Sequence, residues 1–269
     1  MSGSFIRATS ALVVADSLLA FHLTETASSM LHRPFWGRSC PACLPQDREK
    51  PPMLDVYAFA TPNSVKVTIT LEELDFPYTL HGVNVHKGEQ KTPEFLALNL
   101  NGKVPVLVET DEMGQAFSLM ESAAILVFLA EKTGRLLPAQ GEARARVFEQ
   151  LFFHASGLSP AFGQSGFFQR FAATSEPIAL ERFSTEANRT LHVLDTVLMK
   201  NRFVAGDEFT IADIAHFGWL WRRGFPNITL DDTPHVARWY ADIESRPAVQ
   251  RGIAAVEPSF SKPETDPSK

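Results

Sequence analysis

The chain has 269 residues, 45% of them hydrophobic and 21% charged, with a net charge of −6 from 25 basic and 31 acidic side chains. That composition is ordinary for a globular protein with a sizeable core and excludes a wholly disordered or collagen-like chain. No apolar run approaches the roughly 20 residues of a membrane-spanning helix, and no basic stripe of the kind that binds nucleic acid is present, so neither membrane nor nucleic acid is expected as a partner.

Residues 1–52 read as a poorly ordered N-terminal arm. Ala11 to Leu23 is apolar but contains Asp16 and has only Arg7 before it, which makes a poor signal peptide, and Glu25 counts against a transit peptide. The only two cysteines, Cys40 and Cys43, lie in this arm as C-x-x-C. Two cysteines exclude a disulfide scaffold and fit a reducing compartment, the cytoplasm. A redox C-x-x-C should follow a strand and open a helix. This one sits among Pro34, Pro41, Pro45, Pro51 and Pro52, and no second ligand pair accompanies it to make a zinc site.

From Met53 the pattern sharpens. Leu54 to Phe59 reads as a strand, and Thr61-Pro62-Asn63-Ser64 as a turn opening a helix that carries Val65, Val67, Ile69, Leu71 and Leu74. A second strand runs near Tyr78 to Val83, and Thr92-Pro93-Glu94 starts a short helix with proline at its first position. Val104 to Val108 is a strand, with Phe117 to Met120 as its hairpin partner across the Asp111–Gly114 turn. Glu121-Ser122 opens a helix from Ala123 to Lys132, stopped by Gly134. The order β-α-β, short helix, β-β-α is the layout of a thioredoxin-like domain, expected over residues 53–138. No strand signal follows Pro138. Ala143 to Phe171 reads as one helix, Pro177 to Lys200 as another, and helices beginning at Thr210, Pro234 and Pro247 complete an all-α domain over 142–256. Residues 257–269, rich in Pro, Ser, Lys and acids, read as a flexible tail.

Four local patterns bear on chemistry. Thr210-Ile211-Ala212-Asp213 has the form of a capping box with Asp in place of Glu, a folding device without a catalytic role. Lys103-Val104-Pro105 heads an apolar strand, where proline gives up a ladder hydrogen bond. Either the strand is an edge, or a cis Val104–Pro105 bond exposes the Val104 backbone groups. Glu121-Ser122 at a helix start offers free N–H groups, a hydroxyl and a carboxylate, which together suit the zwitterionic end of an α-amino acid, or simply cap the helix. The Thr61–Ser64 turn is a second helix start, where a thiolate would be stabilised. No cysteine stands there, so a thiol would have to arrive with a ligand; plain capping by Thr61 or Asn63 is the alternative. The histidines His81, His86, His154, His192, His216 and His235 form no H-x-x-x-H or H-E-x-x-H pair, and no metal is expected.

Taken together, these residues resemble a cytosolic glutathione transferase, most closely the nu-class, disulfide-bond oxidoreductase type, which is related to fungal prion-like transferases. The resemblance covers about residues 53–255. It rests on Thr61-Pro62-Asn63 with Lys66-Val67-Thr68, Lys87-Gly88-Glu89-Gln90 with Pro93-Glu94-Phe95, Asn101-Gly102-Lys103-Val104-Pro105, and Glu121-Ser122 with Ala130 to Gly134. In the helical half it adds Leu151-Phe152-Phe153, Gly157-Leu158-Ser159-Pro160, Glu181-Arg182-Phe183 and Ala205-Gly206-Asp207.

The resemblance implies glutathione as bound co-substrate, one or two molecules per site, with no metal, and a homodimer. It implies that Val104 backbone groups pair with the cysteinyl part of glutathione. Glu121 and Ser122 would hold the γ-glutamyl end, Gln90 and Lys103 would meet the glycyl side, and Thr61 and Asn63 would face the sulfur as the catalytic pair. Arg182 would reach in from the helical domain. Ser64 stands where the class usually has Gly, and Glu149 where a Gln is expected. The implied activity is reduction of small disulfides, with organic hydroperoxides as a side activity, through bound glutathione and no protein cysteine. A second reading is conjugation of glutathione to an apolar electrophile, with Phe162, Phe167, Phe168, Phe171 and Trp221 as candidate pocket residues and Tyr57 near the place of a catalytic tyrosine in other classes. A third is a regulatory protein on the same fold, as in a yeast relative with an Asn/Gln-rich extension. The arm here has one Gln, Gln46, and no Asn.

Overall fold

The computed structural model describes residues 53–257. The arm with its C-x-x-C motif, and the tail beyond Glu257, lie outside the described residues. Four strands, β1 (Met53–Ala58), β2 (Thr79–Gly82), β3 (Val106–Thr110) and β4 (Ala116–Met120), form one sheet in the order β2-β1-β3-β4. β1 and β2 are parallel, as a crossover through a helix requires, and the pairs β1–β3 and β3–β4 are antiparallel. The helices of this half are α1 (Ser64–Leu74), α2 (Pro93–Leu98) and α3 (Ser122–Thr133). Gly134, left-handed at φ +64°, ends α3 at the position its sequence marks.

Alternation on the strands feeds two cores. Leu54, Val56 and Leu107 face the helices α1 and α3, while Val106 and Val108 face Phe95 of α2 and Tyr57 on the other side of the sheet. Tyr57 stacks on His81 with ring centroids 4.7 Å apart, a packing role.

The second half is helical: α4 (Gly141–Phe153), α5 (Ser159–Arg170), α6 (Pro177–Lys200), α7 (Ile211–Trp221), α8 (Pro234–Glu244) and α9 (Pro247–Val256). The periodic stretch expected as one helix over Ala143 to Phe171 is instead two, joined by a π-helical turn at His154–Leu158. Pro160 cannot donate the backbone N–H that would continue the ladder there, and the wider turn absorbs the mismatch. Among the described residues no helix is long and apolar enough to cross a membrane.

One continuous core unites both halves, and α1 runs through its middle, packed against α3, α7 and α9. The helix is therefore buried nearly all round, polar side chains included: Lys66, Thr68 and Thr70 are as inaccessible as Val67 and Ile69. The threonines are satisfied locally, Thr68 Oγ1 donating to the Gly252 carbonyl at 2.7 Å and Thr70 Oγ1 to the Lys66 carbonyl at 2.8 Å. Two glycines permit the approach of the flanking helices. A Cβ at Gly252 would lie 2.6 Å from the Ile69 backbone nitrogen, and one at Gly218 on α7 would collide with the Pro62 carbonyl and sit 2.8 Å from Lys66 Cγ.

Candidate functional site

A cleft of about 350 Å³ opens where the start of α1, the loop before β3, the start of α3 and the face of α5 and α7 converge. It is lined by Asn63, Asn99, Asn101, Lys103, Val104, Pro105, Glu121 and Ser122 from the first half, and by Ser159, Pro160, Gly163, Gln164 and Trp219 from the second. Five of the eight site residues expected from sequence, Asn63, Lys103, Val104, Glu121 and Ser122, are brought together in it. Thr61, Gln90 and Arg182 are not among its lining residues.

The loop before β3 is built around Asn99. Its side chain donates from Nδ2 to the Lys103 carbonyl at 2.7 Å and accepts from the Asn101 N–H at 2.9 Å. Gly102, at φ +61°, fits because a Cβ there would lie 3.0 Å from the Gln90 carbonyl. This scaffold presents Val104, whose peptide bond to Pro105 is cis. β3 has neighbours on both sides, so the edge-strand alternative for the proline does not hold. Among the described residues the Val104 N–H and C=O make no hydrogen bond, which leaves an extended backbone edge for a ligand to pair with.

At the start of α3, Glu121 sits at φ +68° and ψ +109°, outside the regions an L-residue favours. Such a conformation costs on the order of 1–3 kcal/mol and persists where the surroundings impose it. The result is an exposed carboxylate beside the Ser122 hydroxyl and the free N–H groups of the first turn. An ammonium and a carboxylate borne on one carbon, as in an α-amino acid, match that arrangement.

At the start of α1 the Thr61 hydroxyl is engaged within the turn: it donates to Ser64 Oγ at 3.0 Å and accepts from the Ser64 N–H at 3.1 Å. Ser64 is buried and its φ is not positive, so the turn tolerates a side chain there. Asn63 faces the cleft. Its Oδ1 accepts from Lys66 Nζ at 2.7 Å, and the same ammonium meets His154 Nε2 at 2.7 Å. Burial pushes Lys66 down from 10.5 to about 7, opposed by the Glu121 carboxylate, which raises it. Burial and the neighbouring Lys66 charge hold His154 well below its ordinary range, and burial takes His216 down to about 3. The two imidazoles meet edge to face at 4.9 Å.

Gln90 donates to the Val85 carbonyl at 3.3 Å, and its Oε1 is buried without a partner among the described residues. Arg182 is exposed on α6, and Glu149 pairs with Arg146 along α4. Of the aromatic residues considered for an acceptor pocket, Phe162 is buried core, Phe168 stacks on Phe183, and Trp219 lines the cleft in place of Trp221. Trp219 is fixed by its Nε1 donating to Ser159 Oγ at 2.7 Å. Asn99, Trp219, Gln164 and the buried Lys66 carried no assigned role in the sequence. For Lys66 a signal exists: a lysine inside a helix whose apolar residues Val65, Val67, Ile69 and Leu71 fall on opposite sides.

Sequence models of the family match in two parts: the glutathione S-transferase N-terminal domain over residues 60–132 and the C-terminal domain over residues 145–247. Disulfide-bond oxidoreductase YfcG of Escherichia coli is 39% identical over 205 residues, covering 75% of this chain and 94% of its own. The chain belongs to the glutathione S-transferase family. A glutathione transferase family member from Pseudomonas fluorescens, solved with two glutathione bound, superposes with a TM-score of 0.71 at 39% identity, over 79% of this chain and 95% of its own. A glutathione transferase from Pseudomonas putida, solved with one glutathione disulfide per subunit, gives 0.69 at 37% identity, over 79% and 93%. The fold is that of a glutathione transferase, a thioredoxin-like domain followed by a helical one, and the resemblance to the nu-like type stands.

Proposed function

We propose that this glutathione transferase is a thiol–disulfide oxidoreductase that uses bound glutathione as its only reacting thiol. The observation that carries the reading is the cleft itself. It joins a free backbone edge at Val104, the α-amino-acid site at Glu121 and Ser122 and an amide at Asn63, and the described residues contain no cysteine. Val104 would pair with the cysteinyl unit of glutathione, Glu121 and Ser122 would hold its γ-glutamyl end, and Lys103 and Gln90 the glycyl carboxylate. Asn63 Nδ2, with the Thr61 turn behind it, would donate to the sulfur and favour the thiolate, the form that attacks. Arg182 would act on the bound peptide from α6.

The reaction then has two displacements. A first glutathione thiolate, its proton released to solvent, attacks one sulfur of a small disulfide; the S–S bond breaks, and the other sulfur leaves as thiolate and takes up a proton. A second glutathione thiolate attacks the resulting mixed disulfide at the glutathione sulfur, giving glutathione disulfide and the second substrate thiol. Two glutathiones are oxidised and one disulfide is reduced. The same thiolate supports organic hydroperoxide reduction. Conjugation to an electrophile is the second reading, and the apolar wall of Trp219 and Pro160 favours it.

A homodimer belongs to the same proposal. Phe117, Met120 and Phe152 are exposed beside an apolar groove of about 420 Å³ walled by Val127, Phe128 and Phe148, a surface suited to a second copy. Sedimentation velocity at micromolar concentration should give a dimer.

The deciding assay offers glutathione with 2-hydroxyethyl disulfide, cumene hydroperoxide and a model aryl halide. Turnover is expected to be highest with the disulfide and to survive Cys40→Ser/Cys43→Ser. Loss of disulfide turnover in that double variant would return the reaction to the C-x-x-C pair.

A further inference from the structure

We propose that Lys66 is a positioning residue for the reacting sulfur: held between Asn63 Oδ1 and His154 Nε2, its ammonium locks the Asn63 amide with Nδ2 turned to the cleft and sets a buried positive charge behind it. This rests on the reading that Asn63 faces the glutathione sulfur.

The geometry carries the assignment. Lys66 is 1% exposed and cannot reach solvent or ligand, yet both of its contacts are short, at 2.7 Å. An ammonium has donors and no acceptor, so only the oxygen of the Asn63 amide can face it. The nitrogen is thereby left for the cleft wall, and among the described residues Asn63 Nδ2 makes no hydrogen bond. A neutral amine, by contrast, has a lone pair. It can accept from Nδ2, and the amide can then turn its oxygen toward the sulfur, where it would repel a thiolate. His154 accepts through Nε2, which fixes its proton on Nδ1, a buried atom with no partner among the described residues. Such a group is retained at a cost in stability and marks a site shaped for something other than stability.

The surroundings leave the charge of Lys66 poised. α3 contributes the Glu121 carboxylate, the π-helical turn His154 and α7 His216, both imidazoles being held neutral. On α9, Arg251 pairs with Glu72 toward the other end of α1. Burial lowers Lys66 to about 7, so an anionic sulfur beside Asn63 favours the protonated lysine, and the protonated lysine in turn favours the thiolate. The two ionisations are reciprocal.

The test is a titration of bound glutathione by thiolate absorbance near 240 nm in wild type, Lys66→Met, Asn63→Ala and the double variant, with affinity measured by calorimetry. Lys66→Met should raise the thiol pKa by about one unit, roughly tenfold less thiolate at neutral pH, while glutathione affinity changes less than about threefold. In the double variant the two shifts should not add in full, because the amide route is already lost with Asn63 and only the loss of the buried charge remains to raise the thiol further. If Asn63→Ala shifts the thiol and Lys66→Met does not, the role of Lys66 is overturned and the sulfur site stands. If Asn63→Ala shifts nothing, the placement of the sulfur fails, and with it this route. Wild-type protein gives an independent reading through the 13Cε resonance of Lys66. Its titration should move to higher pH with glutathione and stay in place with S-methylglutathione; an equal response to both would also overturn the coupling.

Discussion

Two buried polar clusters, one at the start of α7 and one below the start of α1, are built on opposite principles. At α7, Asp213 is fully enclosed but fully satisfied. Its carboxylate accepts from the Val204, Thr210 and Trp239 N–H groups, each at 2.9 Å, and from the Thr210 hydroxyl at 3.3 Å. At α1, Lys66 shares two contacts with Asn63 and His154. The His154 Nδ1 has no partner, and neither ring nitrogen of His216 makes a well-formed hydrogen bond, although the Gln150 backbone lies close by. Both clusters shift a charged group toward neutrality by burial. The difference teaches that burial alone does not mark function. A closed set of partners marks a folding device, and an incompletely satisfied set that ends at a cleft marks a site.

Breaking the closed cluster should have the largest effect. Asp213→Ala strands three buried N–H donors and a buried hydroxyl and removes the capping box, and should lower stability by about 3–5 kcal/mol. Denaturant midpoints measure this, and the folded fraction should bind glutathione normally. Impaired binding in that fraction would erase the distinction between the clusters.

Next in size is a gain. Lys66→Met removes an enclosed charge without opening a void and should stabilise the protein by about 1–4 kcal/mol at pH 6. The sign with pH follows from linkage. Lys66 is near 7 when folded and 10.5 in the unfolded chain, so the unfolded chain binds more protons between those values and stability rises with pH across that window. Asp213 runs the other way. Its carboxyl is pushed up to about 6 by burial, against the hydrogen bonds that lower it, so this group's contribution falls as pH climbs from 3.8 through 6. Urea midpoints from pH 4 to 10 should show the alkaline rise in wild type and lose it in Lys66→Met.

Smaller in energy is Asn63→Ala, which should cut disulfide turnover near neutral pH about ten- to a hundredfold. One lost hydrogen bond to a charge is about 1.5–3 kcal/mol, and raising the pH should restore the rate. Smallest is Tyr57→Phe, which should change turnover less than about twofold, since Tyr57 packs between His81 and Phe95 rather than at the cleft. A large loss there would move the reaction to a tyrosine-type site.

What the sequence determined by itself is local. The capping box at Thr210, the stop at Gly134, the proline starts of α6, α8 and α9 and the cis option at Val104 are each written within a few residues, because caps, turns and φ limits are satisfied over that distance. The resemblance to the family supplied the thioredoxin-like and helical halves and five of the residues that meet in the cleft. Only the tertiary structure decided the rest. Lys66 meets His154 across 88 positions of sequence, and Trp219 meets Ser159 across 60. The same packing split Ala143 to Phe171 at a π-helical turn that carries His154 to its place under α1. Desolvation is the reason. Whether a lysine in an apolar helix snorkels to water or loses its charge depends on which other helices cover it, and no neighbour in sequence records that.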